Sequence, residues 1–490
     1  MLHIQLDRRH AHRPYYLQIL EQIRESILAG ELTAGMQLTP SRQLALELGI
    51  SRYTVVSAYE ELCAQGYCIS RVGQGTVVVD IGKLKAISPN HKPNHKTTQL
   101  PKWLLLESST FEKTSPTILQ PIAQSIISFE PSLAQTDCLP FKAMGQAFRE
   151  VMHIAPTRFQ EYERSNGHPA LLEAICRVVL PNRGIQVTPE QVFITNGSLH
   201  SSFLLAKLLS SHASSISYGV PGYLAIPQNF TNQGIVGLSC PVDSEGICLT
   251  SDAQKASLHY VMPEHHFPQG VTLSPERRAK LLQLAEENDA LIIEDDYDSE
   301  FYFDRHPLPA FKAIDPTERV IYMGTFSKEL FNGLRVGYIV AHPAIIQELI
   351  NLRWQIEGGT SIVLQLWLAE LLNSGVVDRH LRRVRVRHRK KRNLIADYLR
   401  RDFPDWQWRL PGGGLQFWIQ LPPKQNAAQI IQEWLNRGVK IFSGFEYCDR
   451  ALGGGFDNRN SKESKNYLIL GFGAVTEAQI YQAFDRVAVL

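Results

Sequence analysis

Six short apolar runs constrain this chain more than any other feature: VFIT from residue 192, ISY from 216, HYVM from 259, LIIED from 291, VIYMG from 320 and VGYIVA from 336. Turn residues bound each run, and amphipathic helical stretches separate them. A run that is apolar throughout has no face to offer water, so it belongs to a strand covered on both sides. Such strands alternating with helices predict an α/β unit over about residues 125–490, a mainly parallel sheet with helices on both faces. From about Gln407 the pattern changes to strand-like LQFWI and further helices, which predicts a smaller α+β lobe.

One core rarely serves 490 residues, so a second unit is expected. Residues 10–81 read as three helices and a hairpin, and 82–124 as a linker, because Ile87–Gln99 is rich in Pro, Asn, Ser, Lys and His with nothing to bury. Tyr16, Leu20, Ile23 and Ile27 fall at helical spacing and Gly30 follows as a stop. A second helix is predicted with Thr39 as N-cap, Pro40 at its first position and Gly49 at its end. A third, capped by Ser51, buries Val55, Tyr59 and Leu62 and turns Arg52, Thr54 and Ser57 outward near its N-terminus. A helix that enters a DNA major groove needs polar side chains and free amides at that end. YCISRVGQGTVVV then reads as a hairpin around Gly73-Gln74-Gly75, with Arg71 beside the tip.

These residues resemble the GntR-type winged helix, whose pattern of Pro-Ser-Arg, Leu-Ala, Leu-Gly-x-Ser-Arg-x-Thr-Val, Ala-Tyr and a Gly-x-Gly wing is matched over about 65 residues. The resemblance implies DNA contact by Arg42, Ser51, Arg52, Thr54, Arg71, Gln74 and Thr76. Residues 1–81 hold seven Arg or Lys against eight Asp or Glu, so phosphate attraction must come from clustering of Arg42, Arg52 and Arg71. The competing expectation is a three-helix domain used for protein contact alone.

The segment VIYMGTFSKELFNGLRVGYIV delivers Thr325, Ser327 and Lys328 from a strand end, with Arg335 seven residues past the lysine. A pyridoxal aldehyde needs an amine, and its phosphate needs hydroxyls and a guanidinium. LIIEDDYDSEF ends an apolar strand in acids that are costly to bury unless they hold a cation. Asp295 suits a protonated pyridine nitrogen and Tyr297 the ring's phenolic oxygen; a divalent-metal site is the alternative use of these acids. VFITNGSLHSS places the amides of Gly197, Ser198 and Leu199 at a helix start, where a phosphate can sit. GVPGYLAI offers Tyr223 to stack on the ring, and HHFPQG brings His266 to the same sheet edge.

Together these match the fold-type I aminotransferase pattern, and the joined architecture resembles the MocR family of the GntR superfamily. That resemblance implies pyridoxal 5'-phosphate held by Lys328 as an internal aldimine. It also implies a homodimer in which the N-terminal domain of one subunit packs over the cofactor domain of the other. Two positions depart from the pattern. Ile469 stands where an arginine commonly grips a ligand carboxylate, and Ala225 where some members place a second. The expected function is a regulator that binds operator DNA and senses pyridoxal phosphate or an amino compound. An aminotransferase with an accessory DNA-binding module, and a pseudo-enzyme that keeps the cofactor as a plug, are the alternatives. The basic run Asp378–Arg401 fits a solvated face, an interdomain contact or DNA flanking the operator.

A formal net charge of +2 does not by itself point to nucleic acid. Seven scattered cysteines without a C-x-x-C pair argue against a zinc ribbon or a disulfide framework and for a reducing cytoplasm. No N-terminal apolar stretch suggests export, and no run reaches the roughly 18 apolar residues of a membrane span.

Overall fold

The computed structural model describes residues 4–7, 14–71, 75–80, 126–154, 165–447 and 466–488. The chain divides into two compact units, Met1–Glu112 and Lys113–Leu490. The stretch expected as a linker, 82–124, lies outside the described residues.

The first unit contains α1 (Tyr15–Leu28), α2 (Ser41–Leu48), α3 (Arg52–Ala64) and an antiparallel hairpin of β1 (Cys68–Arg71) and β2 (Gly75–Val78). Its core joins Ile19, Leu20, Ile23 and Ile27 of α1 to Leu44, Val55, Leu62 and Val78. Two expectations are corrected. Tyr16 is exposed and Ile19 takes its place inside, because Tyr16 sits in the first turn of α1 at the rim of the core. Thr39 does not cap α2, which begins at Ser41 after an extended Pro40 with ψ 134°. The Tyr59 hydroxyl donates to the Thr39 carbonyl at 2.7 Å and holds that segment out of the helix. Gly49 does end α2, at φ 64°, and the Ser51 side chain caps α3 by accepting from the Tyr53 amide at 3.1 Å.

The second unit is built on eight strands: β3 (Val192–Thr195), β4 (Ser215–Val220), β5 (Val236–Asp243), β6 (Gly246–Ile247), β7 (Leu258–Val261), β8 (Leu291–Asp296), β9 (Val320–Thr325) and β10 (Gly337–Val340). Their order is β3-β10-β9-β8-β7-β4-β5-β6. The run β9, β8, β7, β4, β5 is parallel, as expected from apolar runs separated by helices. β10 departs from that expectation and pairs antiparallel with both β9 and β3. Eleven residues separate Thr325 from Gly337, too few for a parallel crossover, which takes a dozen or more.

A second sheet, ordered β11 (Gln407–Trp408), β12 (Gln416–Gln420), β14 (Tyr467–Gly471) and β13 (Phe442–Ser443), forms the smaller lobe. Phe417, Ile419, Leu468, Leu470, Trp434 and Phe484 fill its core. The helices of this unit include α4 (Phe141–Ile154), α5 (Ser198–Leu209) and α6 (Val376–Asp402). α6 enters the core beside the large sheet through Val377, Leu381 and Val384, and the core of the small lobe through Ile395, Ala396 and Leu399.

Candidate functional site

Parallel strands end at a common edge, and in open α/β sheets ligands bind just beyond it. Here Ser198 and Leu199 follow β3, Tyr223 follows β4, Met262 follows β7, Asp295 and Tyr297 close β8, and Ser327 and Lys328 follow β9. Arg335 reaches the same edge for the opposite reason: β10 runs antiparallel, so its start, with Gly337 opposite both Thr195 and Thr325, lies where its neighbours end. All of these line one cavity of about 220 Å³.

At the acidic end, the Tyr260 hydroxyl donates to Asp295 Oδ2 at 2.8 Å, while Asp295 Oδ1 is buried without a partner. Burial pushes the carboxyl up to about 7, against the opposing pull of the Tyr260 hydrogen bond. A ring that presents N–H⁺ would supply the missing donor and hold the carboxylate charged. The Lys328 ammonium donates to the Ser132 carbonyl at 2.6 Å. Burial lowers its pKa to about 8, opposed by Asp298 and Asp295. An amine this close to neutral pH is a competent nucleophile.

At the other end, Gly197 has φ 96°, and a Cβ there would approach Arg335 Nη2 to 3.0 Å. A glycine therefore lets the guanidinium lie against the first turn of α5, beside its free amides. The Thr325 hydroxyl donates to Ser327 Oγ at 3.1 Å and accepts from the Ser327 amide at 3.2 Å, which fixes both hydroxyls in the cavity wall. Amides, hydroxyls and a guanidinium at one end, and an amine and an orphaned carboxylate oxygen toward the other, fit pyridoxal phosphate. Tyr223 and Phe267 meet edge to face at 6.1 Å and form an aromatic wall between them.

His266 does not line the cavity. Its Nε2 lies 2.9 Å from the Pro221 carbonyl, and a Cβ on Gly219 would collide with its ring, so it packs beneath the turn that carries Tyr223. Tyr297 does line it, with its hydroxyl donating to the His265 carbonyl at 3.0 Å. The rest of the acid run serves the protein itself. Glu294 accepts from the amides of Phe311 and Lys312, Asp296 from Arg183 at 2.6 Å and from Tyr322, Asp298 pairs with His265 at 2.8 Å, and Glu300 holds Arg385. Asp295 is the acid of this run that lines the cavity.

Sequence reasoning missed Tyr260, Ser132, Met262, Phe267 and Asn332. Tyr260 carried a signal, a hydroxyl inside an apolar run beside Asp295's strand. Ser132 lies about two hundred residues from Lys328 and carried none.

In the first unit, Arg42, Ser51, Arg52 and Arg71 are exposed, and Thr54 and Thr76 half-buried. Arg52 Nε lies 3.5 Å from Ser41 Oγ, so the starts of α2 and α3 adjoin. Ser70 and Thr76 are cross-strand partners in the hairpin, with Arg71 opposite Gly75. Gln74 lies outside the described residues. Tyr53, 78% exposed between Arg52 and Thr54, joins this surface and was not singled out from the sequence.

Comparison with known proteins follows the same division. Residues 15–78 match the bacterial regulatory proteins of the gntR family, and residues 129–448 match aminotransferase class I and II. The probable rhizopine catabolism regulatory protein MocR of Rhizobium meliloti is 32% identical over 400 residues, covering 81% of this chain and 80% of its own. The pyridoxine biosynthesis transcriptional regulator PdxR of Corynebacterium glutamicum is 30% identical over 461 residues, 94% of this chain and 92% of its own. Among solved structures, the α-aminoadipate aminotransferase LysN of Thermus thermophilus, complexed with N-(5'-phosphopyridoxyl)-L-leucine, aligns with a TM-score of 0.66 at 26% identity. That alignment covers 77% of this chain and 96% of LysN.

Proposed function

Because the chain belongs to the MocR-type regulators of the GntR family, we propose that it binds pyridoxal 5'-phosphate through Lys328 and passes the state of that site to an operator-binding winged helix. The observation that carries this reading is the orphaned, buried Oδ1 of Asp295 in the cavity that Lys328 and Arg335 also line. When bound, the cofactor supplies an aldehyde that condenses with primary amines and a ring that withdraws electrons. Lys328 would hold it covalently, Asp295 would keep its ring nitrogen protonated, and Tyr297 would contact the ring oxygen. Ser198, Leu199, Thr325, Ser327 and Arg335 would bind the phosphate, and Tyr223 would cover one face.

Among the described residues lining the cavity, Lys328 and Arg335 are the cations. With one engaged by the aldehyde and the other by the phosphate, neither is left for a substrate carboxylate. Ile469, buried in β14 opposite Trp418 and Phe442, and Ala225, opening the helix after Tyr223, add no charge. A missing charged hydrogen bond removes about 1.5–3 kcal/mol of binding. The effector is therefore pyridoxal phosphate itself, in keeping with a relative named for pyridoxine biosynthesis, or an amine gripped differently. Asn332 Oδ1, buried without a partner in the wall, suits the N–H of an amine. Titrating apo-protein with pyridoxal phosphate alone and following operator affinity tests the choice. A shift supports the cofactor as effector; no shift until an amine is added rejects it.

The working form is a homodimer paired head to tail, in the cytoplasm beside its operator. Phe141, Phe148 and Met152 leave an apolar stripe on α4 open to solvent, as do Leu199 and Phe203 on α5. Leu199 also lines the cavity, so a second copy covering it would adjoin the site. The complete lysine, aspartate, tyrosine and arginine set favours a second reading, an active aminotransferase. Turnover of amino donors by the holoprotein would establish it.

A further inference from the structure

α6 carries eleven Arg and Lys against three Asp, a balance of +8 on a chain whose total is +2, so the remainder carries −6. The structure divides these cations. Arg385 binds Glu300, Arg392 binds Asp304, and Lys391 donates to Gln135, Phe472 and Gly473 inside the protein. Arg382, Arg400 and Arg401 pair with Asp378, Asp397 and Asp402 on the surface. Arg379, Arg383, Arg387, Arg389 and Lys390 are exposed with no acid partner among the described residues. Steps of four, four and three place Arg379, Arg383, Arg387 and Lys390 on one stripe. No acid falls between Asp378 and Asp397 to neutralise it. Like charges at that spacing repel, so the stripe works against the helix's own stability.

Resting on the proposal that the protein binds operator DNA, we infer that this stripe is a second DNA-contact surface, engaging backbone phosphates of duplex flanking the operator. The winged-helix segment, with seven cations and eight acids over residues 1–81, has no surplus charge with which to attract a polyanion. The stripe runs for about 16 Å along α6 at 1.5 Å per residue, a length over which duplex DNA presents roughly ten phosphates. Val386 is the exposed apolar side chain between these cations. The apolar face of α6 is spent on the protein's two cores, so a lipid bilayer would find nothing to bury.

The test uses the full-length protein and the variant R379Q/R383Q/R387Q/K390Q, whose substituted side chains hold no described contact that the fold needs. Both are titrated with the operator in a long duplex and in one trimmed to the footprint core. One phosphate contact per cation gives the wild type a steeper salt dependence by about 3.6 per subunit. That amounts to about a hundredfold more affinity lost between about 50 and about 200 mM salt. The difference is expected on the long duplex and not on the short one, with the variant melting no lower than the wild type because it has lost the repulsion along the stripe. Equal slopes on the long duplex overturn the inference. Tighter binding by the variant also overturns it. A wild type with no operator preference would defeat the regulator reading instead, while the slopes on long duplex would still decide the stripe.

Discussion

The two units place their functional groups in opposite ways. Among the described residues of the N-terminal unit, Gln18 and the hydroxyl of Tyr59 are the polar groups on buried side chains, neither of them charged, and the residues assigned to DNA lie at or near the surface of an apolar core. The second unit buries Glu294, Asp295, Asp296, Asp298 and Arg183 at and behind its cavity, and Lys391 and Arg392 beside the core of its small lobe. Stability and function are thus separable in the first unit and entangled in the second. A buried charge is strongly destabilising unless paired, so the cavity's groups act on the fold as well as on a ligand.

The sharpest test of that contrast is Lys328→Ala, expected to abolish covalent capture of pyridoxal phosphate. The visible absorption of the loaded protein would vanish, and borohydride would fix no cofactor mass to the chain. Retained DNA binding with the effector response lost supports the regulator; loss of turnover supports an enzyme; lowered stability alone supports a plug. In the wild type, capture should quicken about tenfold per pH unit below about 8 and level off above it, because burial holds the Lys328 pKa near that value.

Asp295→Asn should act on the fold itself. The Asp295 carboxyl, raised to about 7, stays neutral in the folded apo-protein while its unfolded counterpart ionises near 4. Its contribution to stability therefore falls as pH rises from about 4 to about 7 and is constant above. Asparagine should remove about 1.4 kcal/mol per pH unit of that slope, read from apo-protein melts across the window. Glu294, also raised to about 7 by burial, leaves a slope of its own. The same variant should weaken cofactor binding about ten- to a hundredfold through the lost charged hydrogen bond. An unchanged pH slope would mean that Asp295 is solvated, and the contrast between the units would weaken.

Arg52→Ala and Arg71→Ala should reverse the pattern. Operator affinity is expected to fall about ten- to a hundredfold for a side chain reading a base, and less for one on a phosphate. Stability should move by no more than about 0.5 kcal/mol, as for most exposed sites. A clear drop in melting temperature would show that the first unit is not divided in this way.

What the sequence disclosed follows the same division. Asp295 was legible because an acid ending an apolar strand has few explanations, and Lys328 because hydroxyls and a guanidinium surround it along the chain. The direction of β10 was not read from its apolar pattern, which is the same in either direction. The short connection from Thr325 was the available signal, and on it depends Arg335 reaching the cavity. His266 was misplaced since a histidine after a strand end can face the ligand or the turn beneath it, and only packing against Gly219 decides. Tyr16 was misjudged for a related reason: helical spacing marks a face but not where the core ends along it.

Ser51 is the residue where the contrast should fail on the smallest scale. Its oxygen accepts from the Tyr53 amide, so it stabilises α3, while its hydroxyl hydrogen remains for a phosphate. Ser51→Ala removes both and should lower stability by about 1 kcal/mol together with affinity, whereas Ser51→Gly should lower stability by only a few tenths. Ser51→Asp keeps the acceptor at the helix start but sets a negative charge against the DNA. It should melt with the wild type yet bind operator most weakly of the three. If instead affinity follows melting temperature across the series, Ser51 is a cap and nothing more, and the surface of the first unit is as bound to its stability as the cavity of the second.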